Sequence, residues 1–282
     1  MSSRTDPTVI SIIIPAHNEA ALIGRCLRAV FASPALSGAE VIVVANGCLD
    51  DTADRARALV NDATASGWDL TVLELPEGGK PGALNAGDRA ARNGARVYLD
   101  ADVIVSSGLM AELAATLARS EPIYASGVMC LARARTAVSR AYGRIYGRVP
   151  FLTQGVPGAG LFAVNAAGRA RWGRFPDIIS DDTFVRLLFS PAERVRVTAP
   201  YSWPLVEGFG NLVRVRRRQN AGVAQIAALY PDLLTNDDKS DMGIREKATL
   251  FLRDPIGFAV YAAVALTVKL VPAKDNHWSR GR

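Results

Sequence analysis

Apolar β-branched runs alternate with stretches of helical spacing along the first hundred residues. Val9–Ile14 has the pattern of a strand buried on both faces. Glu19–Ala32 follows, with Leu22, Ile23, Cys26, Leu27 and Val30 at three- and four-residue intervals, which predicts a helix. Val41–Val44 repeats the strand pattern. Asp50–Asp62 reads as a helix whose acids sit near its start, where the dipole favours them. Leu70–Leu75 gives a third strand, Lys80–Asn93 an Ala-rich helix after a Gly-Gly turn, and Val97–Leu99 a fourth strand. This βαβαβαβ order predicts an α/β fold with a mostly parallel sheet flanked by helices. Ligands of such sheets gather at the carboxyl ends of the strands. Asn46, Glu77–Lys80 and Asp100–Asp102 all fall there.

The second half is less regular. The pattern predicts strands at Tyr124–Leu131, Leu161–Val164 and Val195–Val197, and helices at Ala134–Arg148, Asp181–Phe189 and Asn211–Leu234. Gln154–Gly160 is a Gly/Pro loop and Thr235–Gly243 a polar connection. Pro255–Val268 holds fourteen residues without a charge. Spanning a membrane takes about 20 apolar residues, so this stretch reads as a buried or interfacial helix. The expected organisation is a main domain over 1–235, a linker at 236–243 and an apolar helical extension over 244–282.

Composition narrows the classes. The 282 residues are 49% hydrophobic and 21% charged, which excludes wholesale disorder, collagen and coiled coil. The net charge is +6, and only five of the 33 cations are Lys. Arg suits diphosphate recognition, because its planar fork binds two oxygens at once. Cys26, Cys48 and Cys130 are an odd, scattered set without metal-ligand spacing, and fit a reducing compartment. Met1–Thr8 lacks the apolar core of a signal peptide. His17 and His277 lie too far apart in sequence to suggest zinc. An aromatic content of 7% gives no indication of a long polysaccharide-stacking groove.

Asp100-Ala101-Asp102 follows a strand directly, so its two carboxylates can face one cation. Mg²⁺ or Mn²⁺ held by one or two carboxylates plus substrate phosphates is a common arrangement. Alone, the triplet is as well explained by a turn with solvated acids. Three further segments stand at strand ends: Pro15-Ala16-His17-Asn18-Glu19, Asn46-Gly47-Cys48-Leu49-Asp50-Asp51-Thr52 and Gly79-Lys80-Pro81-Gly82-Ala83-Leu84-Asn85-Ala86-Gly87. In order and spacing the four resemble the family 2 glycosyltransferases of the GT-A fold, nucleotide-sugar enzymes that are mostly inverting. The resemblance covers residues 9 to about 222. It implies that Pro15, His17 and Glu19 line the nucleoside pocket, that Lys80 reaches the base or diphosphate, that Asp100 contacts ribose or a metal-bound water, and that Asp102 ligates the metal. Asn46 stands where the family usually has an Asp that contacts the base. An amide can still donate and accept hydrogen bonds to a pyrimidine edge, so uridine is the expected base.

Ser180-Asp181-Asp182-Thr183 resembles the family's E-D motif, which makes Asp182 the candidate general base and places Asp181 beside the acceptor. A capped helix start with dipole-favoured acids is the plain alternative. Gly158, Ala159 and Gly160 resemble the small-residue acceptor loop. Arg218 first, then Arg214 four residues away, are candidates to clamp the leaving diphosphate, and Arg216 reads as part of a solvated face. Arg218-Gln219 replaces the Q-x-x-R-W of processive relatives, which argues against a processive synthase. Arg133, Arg135, Arg140, Arg144 and Arg148 form a basic stretch without an acid. It reads as facing anionic lipid or a lipid-diphosphate acceptor, or as a solvated face; no nucleic-acid module is visible.

Together these readings predict a metal-dependent inverting transferase. It passes a sugar from a nucleotide-diphosphate donor, a UDP-sugar by expectation, to a hydroxyl on a glycan or lipid-linked acceptor. Its expected place is cell-surface glycan synthesis at the cytoplasmic membrane face. A retaining GT-A transferase, a nucleotidyltransferase and a non-catalytic nucleotide-sugar-binding protein are the rivals. The nucleotidyltransferase is disfavoured, because Pro15–Glu19 replaces the Gly-rich entry loop that such enzymes need.

Overall fold

The computed structural model describes residues 8–35, 37–240 and 242–271. The end of the expected extension, with His277, lies outside the described residues, as do Met1–Pro7. In chain order the elements are β1 (Ile10–Ala16), α1 (Ile23–Phe31), β2 (Glu40–Asn46), α2 (Thr52–Arg57), α3 (Val60–Ala65), β3 (Asp69–Leu75), α4 (Lys80–Ala90), β4 (Ala95–Leu99), β5 (Ile104–Val105), α5 (Leu109–Leu117), β6 (Tyr124–Leu131), α6 (Ala137–Tyr146), α7 (Pro150–Thr153), β7 (Leu161–Val164), α8 (Ala166–Arg169), α9 (Asp181–Leu187), β8 (Arg194–Trp203), α10 (Phe209–Leu229), α11 (Ile244–Arg253) and α12 (Pro255–Leu270).

The strands form one eight-stranded sheet in the order β3-β2-β1-β4-β7-β6-β8-β5. β3, β2, β1 and β4 pair in parallel, as the alternating pattern requires. Beyond β4, β7 runs antiparallel to β4, β6 to β7 and β5 to β8. The sheet is therefore parallel through β3, β2, β1 and β4, with an antiparallel portion beyond.

The chain divides into two compact units. The first comprises residues 1–129, 156–177 and 181–203; the second comprises 130–155, 178–180 and 204–282.

In the first unit, β1 and β2 are apolar on both faces because both faces are covered. Ile12, Ile14, Val41, Val43 and Val97 join Ile23, Leu27 and Val30 of α1 in the main core. Ile42 and Val44 pack with Ala83 and Ala86 of α4 in a smaller one. A Cβ on Gly87 would stand 2.4 Å from Ile13 Cγ2, so the last glycine of the Lys80–Gly87 motif lets α4 lie on β1. The single helix expected over Asp50–Asp62 is two, α2 and α3. The chain turns at Ala58–Leu59, which buries Leu59. Residues 103–123, which carried no assignment, hold β5 and α5. β8 is longer than expected because only alternate residues are buried and Pro200 interrupts the apolar run.

In the second unit, α10 stops at Leu229, five residues short of expectation, because Pro231 cannot continue it. Arg216 is not on a solvated face as expected. It is half-buried, donates to Tyr142 Oη at 3.3 Å and stacks on Tyr261. Arg217 donates to the carbonyls of Thr267 and Val271 at the end of α12. The 236–243 stretch is tied down where Ser240 Oγ donates to Gln154 Oε1 at 2.9 Å. Among the described residues no helix is long and apolar enough to cross a membrane.

Candidate active site

The carboxyl ends of β1, β2 and β4 bring the sequence motifs together, and hydrogen bonds between loops hold them there. Asn46 ends β2 with its side chain buried. Its Nδ2 donates to the Ala16 carbonyl at 2.8 Å, and its Oδ1 accepts from Gly79 N at 2.9 Å. One amide thus spans the end of β1 and the turn before α4. His17 Nδ1 donates to the Asn46 carbonyl, which fixes the proton on that nitrogen. Glu19 N donates to Thr52 Oγ1 at 2.7 Å, and Ala20 N to Asp50 Oδ2 at 3.2 Å. Asn85 acts as a backbone mimic: it donates to the Phe175 carbonyl at 3.0 Å and accepts from Phe175 N at 2.7 Å.

A cleft of about 210 Å³, counting its open mouth, is lined by residues of the first unit. They include Pro15, Lys80, Asp100, Gly158, Asp181 and Asp182. Its centre is an ion network. Lys80 Nζ lies 2.9 Å from Asp100 Oδ1 and 3.1 Å from Asp181 Oδ1. Burial pulls the Lys80 ammonium down, but the carboxylates of Asp100, Asp181 and Asp182 outweigh it, and the group is held charged. Burial pushes the Asp181 carboxyl up against the pull of Lys80, and the charges of Asp182 and Asp100 add to the rise. Asp181 Oδ2 is buried without a hydrogen-bond partner. Asp182 is more open, and its Oδ1 accepts from Thr183 N at 2.7 Å.

A thiol lies beneath Asp100. Cys26 is fully buried beneath the turn, with Sγ 3.7 Å from the Asp100 carbonyl. Burial first, and then the charges of Asp102, Asp100 and Glu19, push that thiol far up. Three acids therefore direct their field at one place. Among the described residues no group of three or more His, Cys, Asp or Glu is arranged to hold a metal by itself. Two hard carboxylates completed by diphosphate oxygens fit Mg²⁺ or Mn²⁺.

Tyr124 went unnoticed in the sequence. It is fully buried, its hydroxyl has no partner, and burial and the charge of Asp182 raise it well above the ordinary phenol range. A Cβ on Gly158, at φ 68°, would stand 1.7 Å from its Oη. That explains why the acceptor-loop candidate must be glycine. Ala159 is held by its carbonyl, which accepts from Tyr201 Oη at 2.8 Å. Gly160 lines the cleft. Arg214 and Arg218 lie four apart on α10 in the second unit. Arg214 is exposed and donates to Asn211 Oδ1 at 2.7 Å; Arg218 is half-buried.

The structure resembles the mannosyltransferase PcManGT of Pyrobaculum calidifontis, solved with GDP-Man and Mn²⁺. The TM-score is 0.59 at 22% identity, over 96% of this chain and 77% of that one. It also resembles glucosyl-3-phosphoglycerate synthase of Mycobacterium tuberculosis, solved with Mn²⁺, UDP and glucosyl-3-phosphoglycerate. There the TM-score is 0.53 at 21% identity, over 78% and 79% of the two chains. S. aureus TarS with UDP gives 0.54 at 12% identity, over 97% and 95%. At these identities the likeness establishes the GT-A fold. In sequence the chain is 30% identical over 105 residues to the uncharacterized glycosyltransferase EpsJ of Bacillus subtilis (strain 168), a match that spans 37% of this chain and 29% of that relative. The profile of glycosyl transferase family 2 matches residues 11–155, through the strand ends that carry Pro15, Asn46, Lys80 and Asp100. With half of its length matched and its cleft built on those strand ends, the chain belongs to glycosyl transferase family 2.

Proposed function

We propose that this glycosyltransferase moves a sugar from a UDP-sugar to a hydroxyl acceptor with inversion and with the help of a divalent metal. The observation that carries the reading is the contact of Lys80 with both Asp100 and Asp181. One cation joins the donor motifs to the acids proposed to serve the acceptor.

Asp182 is the proposed base. It takes the proton of the acceptor hydroxyl as that oxygen bonds to the anomeric carbon, and the bond to the diphosphate breaks with its electron pair leaving on the diphosphate. Asp181 is committed to Lys80 and is not the base. Pro15, His17 and Glu19 line the nucleoside side, and Asn46 keeps the surrounding loops in register. Asp102 and Asp100 would hold Mn²⁺ or Mg²⁺, which when bound supplies charge stabilisation for the leaving diphosphate. Lys80 adds fixed positive charge for the same product, and Arg218 and Arg214, on a helix of the second unit, stay sequence-based candidates for a diphosphate clamp. Gly158, Ala159 and Gly160 give a backbone surface that an acceptor sugar can approach closely. The proposed acceptor is a glycan or lipid-linked hydroxyl in cell-surface glycan synthesis, at the cytoplasmic face of the cell membrane.

Calorimetry with UDP, GDP, TDP and CDP, with and without Mn²⁺, tests the donor half on wild type and Asp102→Ala. UDP binding that needs both Mn²⁺ and Asp102 is expected. Binding indifferent to both removes the mechanism and leaves the fold. NMR of the product's anomeric configuration separates inversion from retention.

A further inference from the structure

The two helices after α10 are apolar in a way their packing inside the protein does not use. On α12, Gly257 and Val264 are buried, and the Tyr261 ring packs at a tilt on Tyr142 of α6 with centroids 5.3 Å apart. Those positions share one side of the helix. Ile256, Ala259, Ala263, Leu266 and Leu270 recur at three- and four-residue steps on the other side, and all five are exposed. Ile256 is 70% and Leu270 76% exposed. The helix before it repeats the pattern. Ile244, Phe251 and Leu252 lie seven and eight residues apart on one face of α11, with Leu252 80% exposed. A helix that is apolar all round needs a non-aqueous neighbour on every side.

Charge chooses the neighbour. The second unit has 17 Lys and Arg against 8 Asp and Glu, a net +9, while the first has 16 against 19, a net −3. Arg245, Lys247, Arg253 and Lys269 are exposed on the same two helices. A second copy seated on this face would set one cation-rich unit against another. Residues 272–282 offer only Pro272, Ala273 and Trp278 as apolar cover, among Lys274, Arg280 and Arg282. An anionic bilayer surface matches both the apolar stripe and the cations beside it. The sixteen residues of α12 span about 24 Å, short of the roughly 30 Å hydrocarbon core, so the helix fits lying in the interface.

We infer that the exposed faces of α11 and α12 dock this protein on an anionic lipid surface. The inference deepens the membrane placement proposed above and moves the contact away from the basic stretch at 133–148. Arg144 of that stretch is bound by Asp254 at 2.6 and 3.1 Å, and Arg140 by the carbonyls of Ala134 and Arg135.

Vesicle flotation of the full chain tests it, using phosphatidylcholine with and without phosphatidylglycerol at low and high salt. Wild type floats with the anionic vesicles and less so at high salt. Leu266→Glu with Leu270→Glu weakens binding at least about tenfold, while Val60→Glu, an exposed change on the first unit, leaves it as in wild type. The paired variant must bind UDP as wild type does, which shows that the fold survives and separates this test from that of the donor reading. Three results overturn the inference: wild type ignores anionic vesicles; the paired variant floats as well as wild type; or sedimentation shows a wild-type dimer that the paired variant dissolves, which assigns the stripe to a second copy.

Discussion

The two units solve different physical problems. The first holds an excess of acids and spends its apolar residues inward, so that Ile12, Leu27, Val41 and Val97 have essentially no exposure. Its acids gather at strand ends, where Lys80 and the proposed metal offset them. The second holds an excess of cations, and its last helix buries only Gly257 and Val264. The same ion-pair chemistry consequently has different weight in each. In the first, Asp181 is buried and, among the described residues, Lys80 is its one ion-pair partner within 4 Å. In the second, Asp254 also caps α12, accepting from Gly257 N at 2.9 Å, and its partner Arg144 is half exposed.

Four experiments break or sharpen this contrast. Asp182→Asn should lower turnover by about 10²–10⁴-fold while UDP affinity holds in calorimetry; unchanged turnover removes Asp182 as the base. Gly158→Ala should destabilise the first unit by about 2–4 kcal/mol in urea unfolding, because it adds overpacking against Tyr124 to a positive φ. Adding Tyr124→Phe should recover part of that loss, and no recovery would clear the tyrosine as the obstacle. Lys80→Met should cost about 1–3 kcal/mol by leaving Asp181 buried without its cation, whereas Arg144→Met in the second unit should cost about 1 kcal/mol or less. Equal costs would erase the distinction between the units.

The smallest effect is on pH dependence. Glu207 is drawn down to about 2 by the backbone N–H groups of Arg135 and Thr136, and Asp254 to about 2 by Arg144. Both stabilise the fold fully above the ordinary carboxylate range, and the stability is lost as pH falls toward 2. Asp181 runs the other way: its raised carboxyl favours the folded state while protonated, so its contribution declines as pH rises past the ordinary aspartate range. Glu207→Gln and Asp254→Asn should therefore flatten the acid limb of a stability–pH curve, and Asp181→Asn the limb above it.

The parallel half of the sheet was legible because β1, β2 and their helices repeat one rule, in which strands covered on both faces alternate with helices apolar on one. Pro15, Lys80, Asp100, Gly158, Gly160, Asp181 and Asp182 were picked from motifs and line one cleft. Tyr124 escaped notice because its value lies in a hydroxyl buried under a loop 34 residues away, and no local pattern encodes that contact. Arg216 was misread for the same reason, since Tyr142 and Tyr261 that shelter it are 74 and 45 positions distant. α5 has its signal in the sequence, with Leu109, Leu113 and Leu117 repeating every four residues.

The Asn46 amide works as a latch between two loops. Its nitrogen serves the Ala16 carbonyl while its oxygen serves Gly79 N. A carboxylate there would keep the second bond and turn an acceptor toward the first. Asn46→Asp would therefore leave the Ala16 carbonyl facing an acceptor in place of a donor. The end of β1 and the turn before α4 are latched by two atoms of one side chain, so neither loop can shift without loading the other.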